Sequence, residues 1–203
     1  MINLSNILLA VLLLSPLSLV ASTNNFDSNN SLHNYLINNN TSSFLISKKG
    51  EIIIDQEFEV QKEYDPRSLM YSNLLRNGFI NNRSQEDVAS IQKSLVSVLI
   101  GIAQQKKLID INNSVSLYIG KWTQLEEEKE NLITIKNLLT MTSGLDTTLN
   151  YLSDPGSQWF YNSRAYSYLI DVLEKSSGIQ INDLSSEWLF KDLEMQETFW
   201  KER

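Results

Sequence analysis

Apolar and polar positions follow several rhythms along this chain, and each rhythm predicts a different element. Ile7 to Val20 is an almost unbroken apolar run, followed by the small residues Ala21 and Ser22. A bilayer span needs about 20 apolar residues, so this run is short for one. Its length and small-residue end suit a cleaved signal peptide over residues 1–22, although no Lys or Arg follows Met1. Residues 23–42 are polar and Asn-rich, and read as a leader or a loosely held helix. Ser43–Ser47 and Glu51–Asp55 are β-branched runs on either side of Lys48-Lys49-Gly50, the pattern of a hairpin. Val60 to Asn82 has no clear period and contains the turn signal Asp65-Pro66.

The strongest element is Val88 to Ala103, apolar on most faces, which predicts a buried helix. Gln104-Gln105-Lys106-Lys107 supplies a solvated last turn with cations at its C-terminus. Leu125 to Glu130 is an acidic run, read as a solvated loop. Thr134 is placed to cap a short helix through Leu138, Leu139 and Met141 that stops near Gly144. Tyr166 to Ser176 predicts another helix, with Leu169, Ile170 and Leu173 as its stripe and Gly178 as its stop.

Composition narrows the function classes. The 203 residues carry a formal charge of −7 and no basic cluster, which disfavours nucleic-acid binding. The charge suits a small-molecule or peptide substrate without selecting one. There is no cysteine, which excludes disulfides, thiolate metal sites and a cysteine nucleophile. The one histidine, His33, lies in the Asn-rich stretch and reads as an exposed loop residue. A Ser-His-Asp triad would have to use it, and nothing around it resembles a positioned site.

One constellation carries chemistry. Ser90 is the one serine with a lysine three residues on, in Ser90-Ile91-Gln92-Lys93. Residues three apart share a helix face, so Lys93 can hold its amine beside the Ser90 hydroxyl. A serine is a weak nucleophile until a neighbouring base takes its proton. Apolar neighbours partly desolvate the amine and favour its neutral, basic form. On spacing and burial alone, a lysine snorkelling to solvent at the helix start fits as well.

The surrounding phrases bear on that choice. Ser90 to Ala103 followed by Lys107-Leu-Ile-Asp-Ile-Asn-Asn-Ser-Val115 resembles the nucleophile helix of class C β-lactamase-like and penicillin-binding-protein-like serine hydrolases. Ile133-Thr-Ile-Lys-Asn-Leu-Leu-Thr-Met-Thr-Ser-Gly-Leu145 resembles another stretch of that family. Pro155-Gly156 leading to Phe160-Tyr161, Glu174 to Gly178, and Leu193-Glu-Met with Thr198 and Trp200 continue it in order. The resemblance runs from about Ser43 to Arg203 and implies an α+β fold, an antiparallel sheet flanked by helices with a helical subdomain.

The resemblance further implies an acyl-enzyme on Ser90, with Lys93 helping to remove its proton. Tyr161 would be general base and then acid, and the Ser90 N–H one oxyanion donor. No metal or organic cofactor is implied. Asn162 and Ser163 would border the substrate. The family's second motif usually reads Tyr-x-Asn, whereas this chain has Tyr161-Asn162-Ser163, which puts β-lactam hydrolysis in doubt more than acyl transfer. Serine can make single hydrogen bonds there but not the fork of an amide. The lesser alternative for Tyr161 is an aromatic packed under a loop with Trp159 and Phe160. The family's third motif, a Lys or His with Gly on a late strand, does not follow Ser163, and Lys48-Lys49-Gly50 imitates it on the wrong side of the nucleophile.

The chain is therefore expected to be part of a longer hydrolase domain, with residues 43–203 its partial representative. Residues 23–203 alone are expected to fold poorly and lack turnover. A non-catalytic or decayed relative and a cell-wall D,D-peptidase or transpeptidase remain as alternatives. The expected location is extracytoplasmic, secreted or periplasmic, with no membrane span after cleavage. No oligomeric state is implied.

Overall fold

The computed structural model describes residues 31–39, 41–58, 76–80, 83–195 and 197–201. The expected signal peptide at residues 1–22 lies outside them. The chain divides into two compact units, Met1–Val88 and Ala89–Arg203.

The first unit holds helix α1 (Ser31–Asn38) and two hairpins. Strands β1 (Ser43–Lys48) and β2 (Glu51–Glu57) pair antiparallel, as the β-branched runs predicted. Lys49 and Gly50 both take left-handed φ, 54° and 84°, as a tight two-residue hairpin turn requires. Alternation places Phe44, Ile46, Ile52 and Ile54 on the half-buried face. The second hairpin, β3 (Arg76–Ile80) and β4 (Arg83–Glu86), begins in the stretch 60–82, whose sequence shows no clear period. His33 is corrected: it lies on α1, half-buried, its ring 5.8 Å from that of Phe58.

The second unit is helical. A 3-10 turn (Ala89–Ile91) leads into α2 (Gln92–Gln105), so the α-helix starts later than Val88. Val96, Leu99, Ile100 and Ala103 face its core, while Ile91 and Gly101 are exposed. The expectation of a helix buried nearly all round is therefore corrected to one buried face. That face packs on α6 (Ser163–Ser177), whose Leu169, Val172 and Leu173 are fully buried. Each such side chain contributes about 1.5–3 kcal/mol of burial. Between them come the short helices α3 (Ser116–Ile119), α4 (Glu127–Glu130) and α5 (Ile135–Leu139). Helix α7 (Ile181–Ser185) and a π-helical turn (Ser186–Phe190) follow α6.

Local chemistry explains the boundaries. Thr134 caps α5 as predicted, in a reciprocal capping box with Asn137. Gly178, φ 74°, ends α6 with its N–H on the Glu174 carbonyl. The acidic run needs correction. Glu130 is 1% exposed, and its carboxylate accepts from the Thr123 backbone N–H at 2.7 Å, the Thr123 hydroxyl and the Ser116 hydroxyl at 3.1 Å. Lys121 lies 3.8 Å away. Three acidic neighbours, Glu126, Glu127 and Glu128, are solvated as expected, but the fourth ties α3 to α4.

Candidate active site

The site assembles at the first turns of α2 and α6, both within the second unit. Ser90 sits in the 3-10 turn, exposed, directly after Ala89 at φ 46°. A left-handed φ is uncommon for a residue with a Cβ, and such strain gathers at functional sites. Ile91 offers no side-chain cap, so the helix start is left without a capping side chain. Lys93, one turn on, donates from Nζ to Ser90 Oγ at 3.3 Å. The snorkelling alternative is thus not what the geometry shows.

Tyr161 reaches the same hydroxyl from the other side, with Oη 2.7 Å from Ser90 Oγ. It is 46% exposed, so it is not an aromatic packed under a loop. The phrase Thr140 to Leu145 holds it in place. The Phe160 N–H donates to the Met141 carbonyl and the Gly156 N–H to the Thr142 carbonyl, both at 2.8 Å. Gly144 makes this possible. At φ 74° its carbonyl accepts from the Leu152 and Ser153 N–H groups, and a Cβ there would sit 2.1 Å from the Ser153 oxygen.

Asn162 is the second hold. Its side chain is 2% exposed and donates to the carbonyls of Leu145 at 3.0 Å and Asp146 at 2.7 Å. Its Oδ1 accepts from the Ala165 N–H at 3.0 Å, capping α6. Both amide hydrogens are thus used within the fold. Asn162, expected beside the substrate, is buried next to Tyr161 with its amide committed to these backbone groups. Ser163, in contrast, is exposed at the first position of α6, two residues after Tyr161.

Two tyrosines of the site differ sharply. Hydrogen bonding from Ser90 first, then from Lys93 and Ser163, holds the Tyr161 phenol below the usual tyrosine value. The nearby Lys93 charge acts in the same direction. Burial pushes Tyr166 up to about 12. Its Oη donates to the Lys93 carbonyl at 2.8 Å. Sequence reasoning used Tyr166 merely as a helix start and missed this contact, for which its spacing from Tyr161 gave no signal. Among the described residues no group of three or more metal-ligating side chains gathers.

The family model described as Beta-lactamase matches residues 42–203, and the chain belongs to this family of serine hydrolases. An uncharacterized protein of Alkalihalophilus pseudofirmus is 26% identical over 183 residues, 88% of this chain and 50% of its own length. A penicillin-binding protein homologue from Pyrococcus abyssi superposes with a TM-score of 0.60 at 15% identity, covering 81% of this chain and 42% of its own. A β-lactamase/D-alanine carboxypeptidase from Yersinia pestis gives 0.50 at 18% identity, covering 64% and 49%. The chain thus spans about half the length of these relatives. Its fold is β-lactamase/transpeptidase-like, with helices and small antiparallel sheets, as the α+β expectation had it.

Proposed function

We propose that this chain supplies the nucleophile of a serine hydrolase that cleaves amide or ester bonds through an acyl-enzyme on Ser90. The carrying observation is the convergence of Lys93 Nζ and Tyr161 Oη on one exposed serine hydroxyl, at 3.3 and 2.7 Å. An ammonium has donors and no acceptor. With Lys93 donating to Ser90 Oγ, the serine proton is free to point at Tyr161. Tyr161, as the tyrosinate, takes that proton and becomes the phenol as Oγ attacks the substrate carbonyl and the C–O bond forms. The Ser90 N–H, in a first turn where backbone donors commonly lack intrahelical partners, is the proposed donor to the developing oxyanion.

As the tetrahedral centre collapses, the bond to the leaving group breaks and Tyr161 returns the proton to it. Water then repeats the sequence against the acyl-Ser90 ester and frees the acid. The Lys93 charge stabilises the tyrosinate in each half. No metal or organic cofactor enters this scheme. Ser163, exposed beside Tyr161, is the polar group proposed to meet the substrate. The net charge of −7 suits a small-molecule or peptide substrate; the name of the Yersinia pestis neighbour favours a D-alanine carboxypeptidase as second reading. Export of the protein, with removal of about the first 22 residues, is part of this proposal. N-terminal sequencing of extracytoplasmic protein should show a start near Thr23, and an intact Met1 would contradict it.

Acyl-enzyme chemistry has a direct kinetic test. The full-length protein, mixed with an excess of a chromogenic aryl ester, should release a burst of phenol equal to the enzyme present. Ser90→Ala should release none. A burst that survives in Ser90→Ala would remove Ser90 from the mechanism.

A further inference from the structure

The geometry points to Tyr166 as the positioning residue for Lys93, a role that rests on the Ser90–Lys93 reading above. Tyr166 is 6% exposed, on the first turns of α6, and two contacts lead from it to one residue of α2. Its hydroxyl holds the Lys93 carbonyl at 2.8 Å, and its ring centroid lies 5.9 Å from Lys93 Nζ. The Tyr161 ring lies 5.3 Å from the same nitrogen. The amine is therefore between two aromatic rings while it reaches Ser90.

A lysine side chain has many rotamers, and little else on α2 would select one. Cation–π attraction strengthens when the ring is desolvated, as the Tyr166 ring is. The hydroxyl contact adds a second constraint, because it fixes the backbone from which the lysine springs. Burial raises the phenol to about 12, so Tyr166 stays protonated and keeps donating at working pH. Tyr161 changes protonation while Tyr166 does not: the two rings share a cation and divide its functions. Tyr166 touches no reacting atom, and so acts through Lys93.

The test compares Tyr166→Phe with Tyr166→Met in the full-length protein, using the aryl-ester burst. Phe keeps the ring; Met roughly keeps the volume and removes the ring. A residue that merely packs would lower the burst amplitude, the fraction of competent protein. A positioning residue lowers the rate constant of the molecules that remain. We expect Met to slow acylation about tenfold or more at unchanged half-saturation, from the lost cation–π contact. Phe should lose a few-fold. A Met variant within about twofold of wild type, or a Phe variant as slow as Met, would overturn the inference.

The wild-type protein gives an independent readout should Met fail to fold. The ε-methylene protons of Lys93, assigned by Lys93→Arg, should resonate upfield of free lysine because of the two ring currents. Free-lysine positions would overturn the assignment. Loss of the Ser90→Ala effect on the burst would instead mark failure of the underlying reading, since the ring-current shift does not depend on catalysis.

Discussion

Helices α2 and α6 pack on one another, yet they begin in opposite ways. Helix α6 is sealed: Asn162 caps it, two carbonyls hold the cap, and Gly178 closes the far end. Helix α2 has no side-chain cap, follows the left-handed Ala89, and exposes Ile91. The sealed helix fixes Tyr161 and Tyr166; the open one presents Ser90 and Lys93. Rigidity and reactivity are thus placed on separate elements that meet at one hydroxyl. A serine that capped α2 would have its oxygen committed to a backbone N–H, whereas the Ser90 hydroxyl meets Lys93 and Tyr161.

The comparison predicts the largest rate effect at Tyr161. Tyr161→Phe keeps the ring and removes the proton carrier, and acid–base groups are worth about 10²- to 10⁴-fold. Turnover of the full-length protein should fall in that range with little change in its thermal transition. Wild-type turnover in this variant would leave Tyr161 without a role in proton transfer. The pH profile adds a sign. Because hydrogen bonds from Ser90, Lys93 and Ser163 hold its phenol below the usual value, the tyrosinate forms at lower pH than in free tyrosine. The acylation rate should rise with pH through an inflection below about 10, and that inflection should vanish in Tyr161→Phe.

Next in size comes the scaffold of the sealed helix. Gly144→Ala sets a Cβ 2.1 Å from a backbone oxygen at φ 74°, so the segment holding Phe160 and Asn162 must move. Strain of this kind costs about 1–3 kcal/mol before the clash is counted, and urea titration should show a loss beyond that. An unchanged midpoint would mean that the Gly144 turn does not hold the segment. Asn162→Ala should lose about 1–2 kcal/mol from the missing cap and slow acylation as well, since Tyr161 is the adjacent residue. Stability lost at full acylation rate would separate the clamp from the chemistry.

The smallest effect has the opposite sign. Gly101 lies mid-helix in α2, exposed, with nothing within 4 Å of a Cβ built there. Gly101→Ala should stabilise by about 0.5–1 kcal/mol, raising the thermal midpoint without changing turnover. A lower midpoint would show that this side of α2 is occupied in the full-length protein.

Much of this was legible before any coordinates. The Lys49-Gly50 turn, the Thr134 cap and the Gly178 stop follow from local chemistry, and local chemistry is what a sequence displays. Ser90 and Lys93 were legible because helical spacing joins them. Tyr161 was found through resemblance, since 71 residues separate it from Ser90 and no periodicity spans such a gap. The misreadings share one cause. Glu130 looked like a solvated charge and His33 like a loop residue, because a polar side chain's partner is set by tertiary packing. The apolar count of residues 88–103 likewise overstated their burial, because exposed apolar residues such as Val88 and Ile91 look the same in sequence as core.

The central claim is that the Ser90 hydroxyl is the activated nucleophile. A fluorophosphonate probe applied to the full-length protein, followed by proteolysis and mass spectrometry, tests it most directly. The account predicts one stoichiometric adduct, on the peptide containing Ser90, absent in Ser90→Ala and strongly slowed in Tyr161→Phe. An adduct on another serine, or equal labelling of the Ser90→Ala variant, would contradict it.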